Sequence, residues 1–248
     1  MRSFCTLFEQ EFYKWVHRPS TYFVAGLFLF LMGFNFTYII FLNTQSVNGM
    51  DSLKMLFEIF WLPTLFIIPI ITMQTLSEEQ RSGVLESTLS TPVSITCLVV
   101  SKLIATYIFY LFLWGLCLFF PLFTQHYLGT TPTQPFIQTT ILQGGILFIG
   151  STSFLFIALG LFASSLTKTQ TLAYFLGFCF LFIILVGAKT LSEVCHLPYE
   201  YLIYIDFFET LDNLCHGILD IRPMIFHIVG GVLVTLLTVN VLESKVLR

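Results

Sequence analysis

The stretch FIQTTILQGGILFIGSTSFLFIALGLFA, Phe136 to Ala163, contains no Asp, Glu, Lys or Arg. A helix needs roughly 20 apolar residues to cross the hydrocarbon of a bilayer, so this run is long enough to span one. Uncharged runs of similar size recur at 21–43, 59–76, 103–122, 171–188 and 223–242. Composition agrees. Only 10% of the residues are charged and the mean hydropathy is +0.86, whereas a soluble domain carries about a quarter of its residues as Asp, Glu, Lys and Arg. The solvent for most of the chain is lipid, and the expected fold is all-α: a polytopic membrane protein with six transmembrane helices. No polar block is long enough for a separate soluble domain, so residues 1–248 read as one membrane domain. The first run begins near residue 20 and lacks a small-x-small cleavage site, which predicts a retained helix and not a signal peptide.

Six crossings put both termini on one side. With the N-terminus inside, the cytoplasmic pieces hold Arg2, Lys14, Arg18, Arg81, Lys102, Lys168, Lys245 and Arg248, and the outer pieces hold Lys54, Lys189 and Arg222. That distribution obeys the positive-inside rule. Trp61, Tyr107, Tyr110, Tyr174 and Tyr201 fit headgroup anchors, and Pro63 and Pro69 are expected to kink the second span. Small residues in the fourth span, Gly144, Gly145, Gly150, Ser151, Ser153, Ala158, Gly160 and Ala163, allow close helix approach. They fit packing within the chain and contact with a second copy equally well.

Several chemistries find no support. The spans carry no Asp, Glu, Lys or Arg in their deep parts, so a proton or cation relay lacks parts; Asn35, Gln74, Gln143 and His227 are the polar exceptions. VGAKT (186–190) lacks the adjacent Gly-Lys pair of a phosphate-binding loop. No zinc-hydrolase or nucleophile-elbow motif occurs, and no Lys/Arg cluster is suited to a nucleic acid. We expect no enzyme activity, no cofactor and no metal.

Charge gathers instead in LSEEQRSGVLESTLSTPVS, Leu76 to Ser94. Ser77 to Leu89 reads as about three helical turns, with Ser77 as N-cap, Glu78 and Glu79 in the first turn, and a stop before Pro92. Glu79 and Glu86 would share a face. A solvated loop and a short helix docking a cytoplasmic partner both fit. Upstream, FCTLFEQEFYKWVHR (4–18) places Phe4, Cys5, Phe8, Phe12, Trp15 and Val16 on one flank and Gln10, Glu11, Lys14, His17 and Arg18 on the other. This pattern predicts an interfacial helix, with Pro19 marking the bend into the first span.

In the outer segment 189–222, Glu193, Glu200, Asp206, Glu209, Asp212 and Asp220 outnumber Lys189 and Arg222. Cys195 and Cys215 are the cysteines expected outside. A disulfide that fixes this loop and unpaired, partly buried thiols are both open, while the Cys-His pairs 195–196 and 215–216 do not match zinc-finger spacing.

Taken together, LSEEQRSGVLESTLSTPVS followed by Lys102, FFETLDNLCHGILDIRPMIFHI (207–228) and LESKVLR (242–248) resemble the ABC-2 type ABC-transporter permeases, in particular the branch with gliding-motility permeases. The resemblance covers nearly the whole chain. It implies a permease subunit in a bacterial inner membrane, paired with a second permease subunit as a homo- or heterodimer and with separate cytoplasmic ABC ATPase subunits. Residues 4–18 would be the elbow helix, and Ser77–Leu89, with Glu78, Glu79, Arg81, Gly83 and Glu86, the coupling helix seated in the ATPase. Residues 189–222 would hold short, partly inserted outer helices. An ATP-independent channel or facilitator and a membrane scaffold are the competing readings; a channel would not need the charged cytoplasmic segment.

Overall fold

The computed structural model describes residues 2–43, 56–57, 60–85, 94–120, 135–187, 190, 207–215, 218 and 220–246, and its long elements are all helical. They are α1 (Arg2–His17), α2 (Pro19–Asn43), α3 (Trp61–Ser82), α4 (Ile95–Cys117), α5 (Pro135–Leu166), α6 (Gln170–Phe182, continued by a π-helical turn Ile183–Gly187), α7 (Phe207–Cys215) and α8 (Arg222–Val246). Helices satisfy their own backbone polar groups, as a chain immersed in hydrocarbon must. Among the described residues, five are long and apolar enough to cross a membrane: Pro19–Tyr38 in α2, Ile95–Cys117, Leu142–Leu166 in α5, Gln170–Gly187 and Arg222–Lys245 in α8.

The exception is α3, where a sixth crossing was expected. Proline, threonine and glutamine dilute its apolar residues, and it ends in Ser-Glu-Glu-Gln-Arg-Ser. Its packing accounts for that composition. α3 lies against α2, α4, α5 and α6, and half of its length is buried, including Thr64, Thr72, Thr75 and Ser77. The hydroxyls of Thr64, Thr72 and Thr75 donate to the carbonyls of Phe60, Ile68 and Thr72, at 2.6, 2.9 and 2.7 Å. A helix sheathed by neighbours can carry such residues because few of its side chains need to satisfy lipid. Pro63 sits in the first turn, where its missing N–H costs nothing, and α3 continues through Pro69.

At the centre is α5, which packs against α3, α4, α6, α7 and α8. Its small residues are used within the chain. A Cβ on Gly160 would lie 2.3 Å from Thr72 Oγ1, and one on Gly145 2.3 Å from the Phe57 ring; Ser151, Ser153, Ala158 and Ala163 are buried. Phe207 of α7 is buried against Phe60, Phe148 and Phe156. Two expected anchors bond within the protein instead. Tyr110 is fully buried with its hydroxyl 2.8 Å from Thr64 Oγ1, and Tyr107 donates to the Gly150 carbonyl at 3.0 Å. Their hydroxyls found protein partners, which removes the need for headgroup water.

The break after α1 falls where the sequence places it. Arg18 is non-helical and Pro19 opens α2, the first helical position where proline is favoured. The starts of α2, α4 and α6 and the ends of α3, α5 and α8 meet at one end of the bundle. Arg18 bonds Glu78, Lys102 bonds Glu79, Gln80 bonds the Ser165 carbonyl, and Lys245 bonds the same carbonyl. These long helices therefore alternate in direction.

Candidate functional site

The shared end of the bundle carries the charges. Ser94 caps α4, its hydroxyl accepting from the Cys97 N–H at 3.3 Å, so the helix starts eight residues before the expected span at 103. This earlier start carries Lys102 two turns into the helix, where it is only 2% exposed. Lys102 was expected at the membrane surface; it is buried by protein instead, beneath α1.

Three charges close around it. Lys102 Nζ donates to Glu11 Oε1 at 3.0 Å and to Glu79 Oε1 at 2.7 Å, and Lys14 Nζ reaches the same two oxygens at 2.8 and 3.1 Å. Two carboxylates thus alternate with two ammonium groups from α1, α3 and α4. Next to them Arg18 Nη2 donates to Glu78 Oε2 at 2.7 Å and Nη1 to Gln74 Oε1 at 3.4 Å. Trp15 stacks on Phe109 with ring centroids 4.9 Å apart, fixing α1 along α4 beside the ionic contacts. Burial favours the neutral form of Glu11, but Lys102 and Lys14 outweigh it and hold the carboxyl below the usual glutamate range. Burial likewise works against the Lys14 ammonium, and Glu11 and Glu79 overcome it, holding its pKa above the ordinary lysine value. A cleft of about 210 Å³ opens beside the cluster, lined by Glu11, Lys14, Arg18, Gln74, Glu78 and Glu79 among others.

The coupling residues need revision in this light. Ser77 does not cap a new helix. It lies inside α3 and turns its hydroxyl back to the Met73 carbonyl, the alternative open to a serine once the preceding turn is helical. Glu78 and Glu79 accordingly sit near a helix C-terminus, where the macrodipole disfavours carboxylates; Lys14, Lys102 and Arg18 offset that cost. Glu79 is 15% exposed and engaged by two lysines, so it is not the water-exposed group the sequence suggested. α3 stops at Gly83, whose φ of 73° is the left-handed conformation glycine adopts past a helix end. Arg81 is exposed on the last turn. Glu86 and Leu89 lie outside the described residues, as do Tyr201, Cys195 and the side chain of Cys215.

The polar face of α1 therefore points at α3 and α4 and not only at water. The sequence placed Lys102 on this side by its charge, but the contacts of Glu11, Lys102 and Gln80 with other helices were missed. For Lys102 a signal existed: Pro92 followed by Ser94 marks a helix start, from which Lys102 falls inside. Gln80 Nε2 donates to the Ser165 carbonyl at 3.0 Å, and Lys245 Nζ to the Ser165 and Leu166 carbonyls at 2.6 and 3.2 Å. Together they cover the C-terminus of α5, where a cation is favoured. Of the polar exceptions in the spans, Asn35 bonds its own helix at Leu31, and buried His227 sits 3.5 Å from Thr152 Oγ1. Among the described residues no group of His, Cys, Asp and Glu is arranged to hold a metal. The sequence matches no protein-family model, and a search of curated proteins returns no significant match.

Proposed function

We propose that the chain is the permease subunit of an ABC-2 type transporter, an exporter energised by a separate cytoplasmic ATPase and completed by a second permease subunit. In this reading α3 is a sixth crossing, packed against α2, α4, α5 and α6, and both termini lie on the cytoplasmic side with the charged end. The observation that carries it is the continuity of α3. One helix runs from the buried core, past Thr72 packed on Gly160, to Arg81 and Gly83 at the charged end. A push delivered there reaches the core without an intervening joint, and the knot of Glu11, Lys14, Glu79 and Lys102 makes α1 and α4 move with it. Rigid-body motion of packed helices is an established way to turn local work into a gate movement.

The contact with the ATPase then falls on Arg81, Gly83 and the segment toward Glu86, while Glu78 and Glu79 serve inside the subunit. Membrane lipid surrounds the bundle, and the chemistry of ATP hydrolysis belongs to the partner. The test is recovery of subunits from detergent. A tagged chain should co-purify a nucleotide-binding subunit, and Arg81→Glu combined with Glu86→Lys should release it while leaving the permease folded. Isolation with no ATPase from the native membrane, or ion or solute flux through the purified chain alone without ATP, would overturn the reading and favour a channel.

A further inference from the structure

We propose that the flank formed by α4, α5 and α8 holds one acyl chain of a phospholipid whose phosphate rests against Arg222. The groove there has a volume of about 630 Å³ and is lined by Leu111, Ile146, Leu147, Phe154, Ile225 and Ile228 among others. That lies within the roughly 300–1,000 Å³ typical of sites for small ligands. A second cavity of about 170 Å³ shares Leu111 and Ile146 with it and continues to Trp114, so the hollow is elongated, as a chain requires. Its lining is almost wholly apolar. The polar atoms at its edge are satisfied: Tyr107 Oη donates to the Gly150 carbonyl and Ser151 Oγ to the Phe148 carbonyl, both at 3.0 Å. On the walls of the larger groove these bonds leave no polar side chain asking for a polar occupant, while in the smaller cavity Trp114 Nε1 is buried without a hydrogen-bond partner.

All three walls belong to helices long and apolar enough to cross a membrane, so lipid is the medium that meets the groove from the side. Apolarity alone does not retain a lipid, because a tail is as well solvated by other tails as by leucine. Retention needs a headgroup contact, and the cation next to the groove in sequence is Arg222. Ile221 and Ile225 line the groove, and Arg222, between them in sequence, is exposed. The neighbouring carboxylate is already engaged, since Asp220 Oδ1 accepts the Arg222 backbone N–H at 3.0 Å, just before the start of α8. Arg222 and Lys245 lie at opposite ends of α8, about 35 Å apart at 1.5 Å per residue. The headgroup site is thus at the face opposite the ionic knot, and the lipid belongs to that leaflet. Guanidinium and phosphate pair through two parallel hydrogen bonds, which gives the specificity that the apolar groove cannot. This proposal rests on the membrane-embedded character of the chain and not on the ATPase reading, so either can fail without the other.

The experiment is native mass spectrometry of the purified chain in detergent, titrated with dioleoyl phosphatidylethanolamine or with dioleoylglycerol, which has the same chains and no phosphate. One phospholipid should bind about tenfold more tightly than any further copy, and about tenfold more tightly than dioleoylglycerol. Arg222→Gln should abolish the preference for phosphate while leaving weak binding of both lipids. Ile228→Trp, which fills the groove from an exposed position, should remove the tight copy; Leu147→Trp makes the same test from α5 if the first variant does not fold. Equal retention of the two lipids by the unaltered chain, or unchanged tight binding in Arg222→Gln or in a folded groove-filling variant, overturns the proposal.

Discussion

Replacing Lys102 by Met removes the buried ammonium and keeps the aliphatic stem. The carboxylates of Glu11 and Glu79 both accept from Lys102 Nζ, at 3.0 and 2.7 Å, so their Oε1 atoms are no more than about 6 Å apart. At an effective dielectric of ~20, two like charges at ~6 Å repel by about 3 kcal/mol. Lys14 stays within 2.8 and 3.1 Å of them but is half-exposed, so it offsets only part of that. Removing one partner of a buried ion pair costs about 3–5 kcal/mol in general; with both carboxylates keeping slight access to water we expect the lower end, about 2–4 kcal/mol. For a chain of this length that amounts to a fall in Tm of roughly 5–12 °C. The sign of the pH response should reverse as well. In the unaltered chain Glu11 is held below its ordinary value, so its contribution is present above that value and is lost as pH falls through the folded one. In Lys102→Met the carboxylates, bridged by half-exposed Lys14 alone, repel, one takes up a proton more readily folded than unfolded, and stability rises as pH falls from 7 to 5. The double variant Lys102→Met/Glu79→Met, which removes both charges, should recover most of the loss. The assay is thermal melting in detergent at a fixed scan rate across that pH range. A Lys102→Met melt within 2 °C of the parent, or a double variant no better than the single one, refutes the assignment of the knot as a stabilising device.

Three further outcomes follow from the same coordinates. Gly160→Ala places a Cβ 2.3 Å from Thr72 Oγ1, so α3 and α5 must part; overpacking of this kind costs about 1–3 kcal/mol, read as a lower Tm, and Thr72→Ala should restore part of it. Lys245→Met withdraws the donor shared by the Ser165 and Leu166 carbonyls and Gln80 Oε1, which should cost about 1 kcal/mol and speed cleavage by protease between α5 and α6. Detachment of α1, followed by an environment-sensitive label on exposed Cys5 in a Cys97→Ser background, should occur at both pH extremes. Glu11 stabilises the contact above its ordinary value of 4.5 and loses it as pH falls through the lower folded value. Lys14 stabilises it below 10.5 and loses it as pH rises through the higher folded value. A label signal flat from pH 3 to 11 would contradict the ionic attachment of α1.

The apolar runs were legible because their signal is local: a helix in lipid must be apolar over its whole length, and among the described residues the helices of five of the six runs meet that demand. The run at 59–76 states it more weakly because α3 carries Thr64, Thr72, Thr75 and Ser77, which are buried against other helices, and what a side chain packs against is a property of the whole bundle. The same distinction separates the readable and unreadable parts of the site. The break at Pro19 is written in one residue, whereas the partner of Glu11 lies 91 residues away on another helix. Serine illustrates the limit of local chemistry. Its hydroxyl serves equally as an N-cap or as a donor to the carbonyl four residues back, and at Ser77 the choice was made by the turn before it, already helical under Gln74 and Thr75. That choice has a consequence for any partner. Because α3 continues to Ser82, Glu78 and Glu79 fall under Lys14, Arg18 and Lys102 and, with Glu11, neutralise them. Among the charged groups of the 76–85 stretch, Arg81 is then the one left exposed on the helix end. A protein that recognises this end by charge should therefore present an acidic group to Arg81, and its own basic residues would find the carboxylates of α3 already engaged.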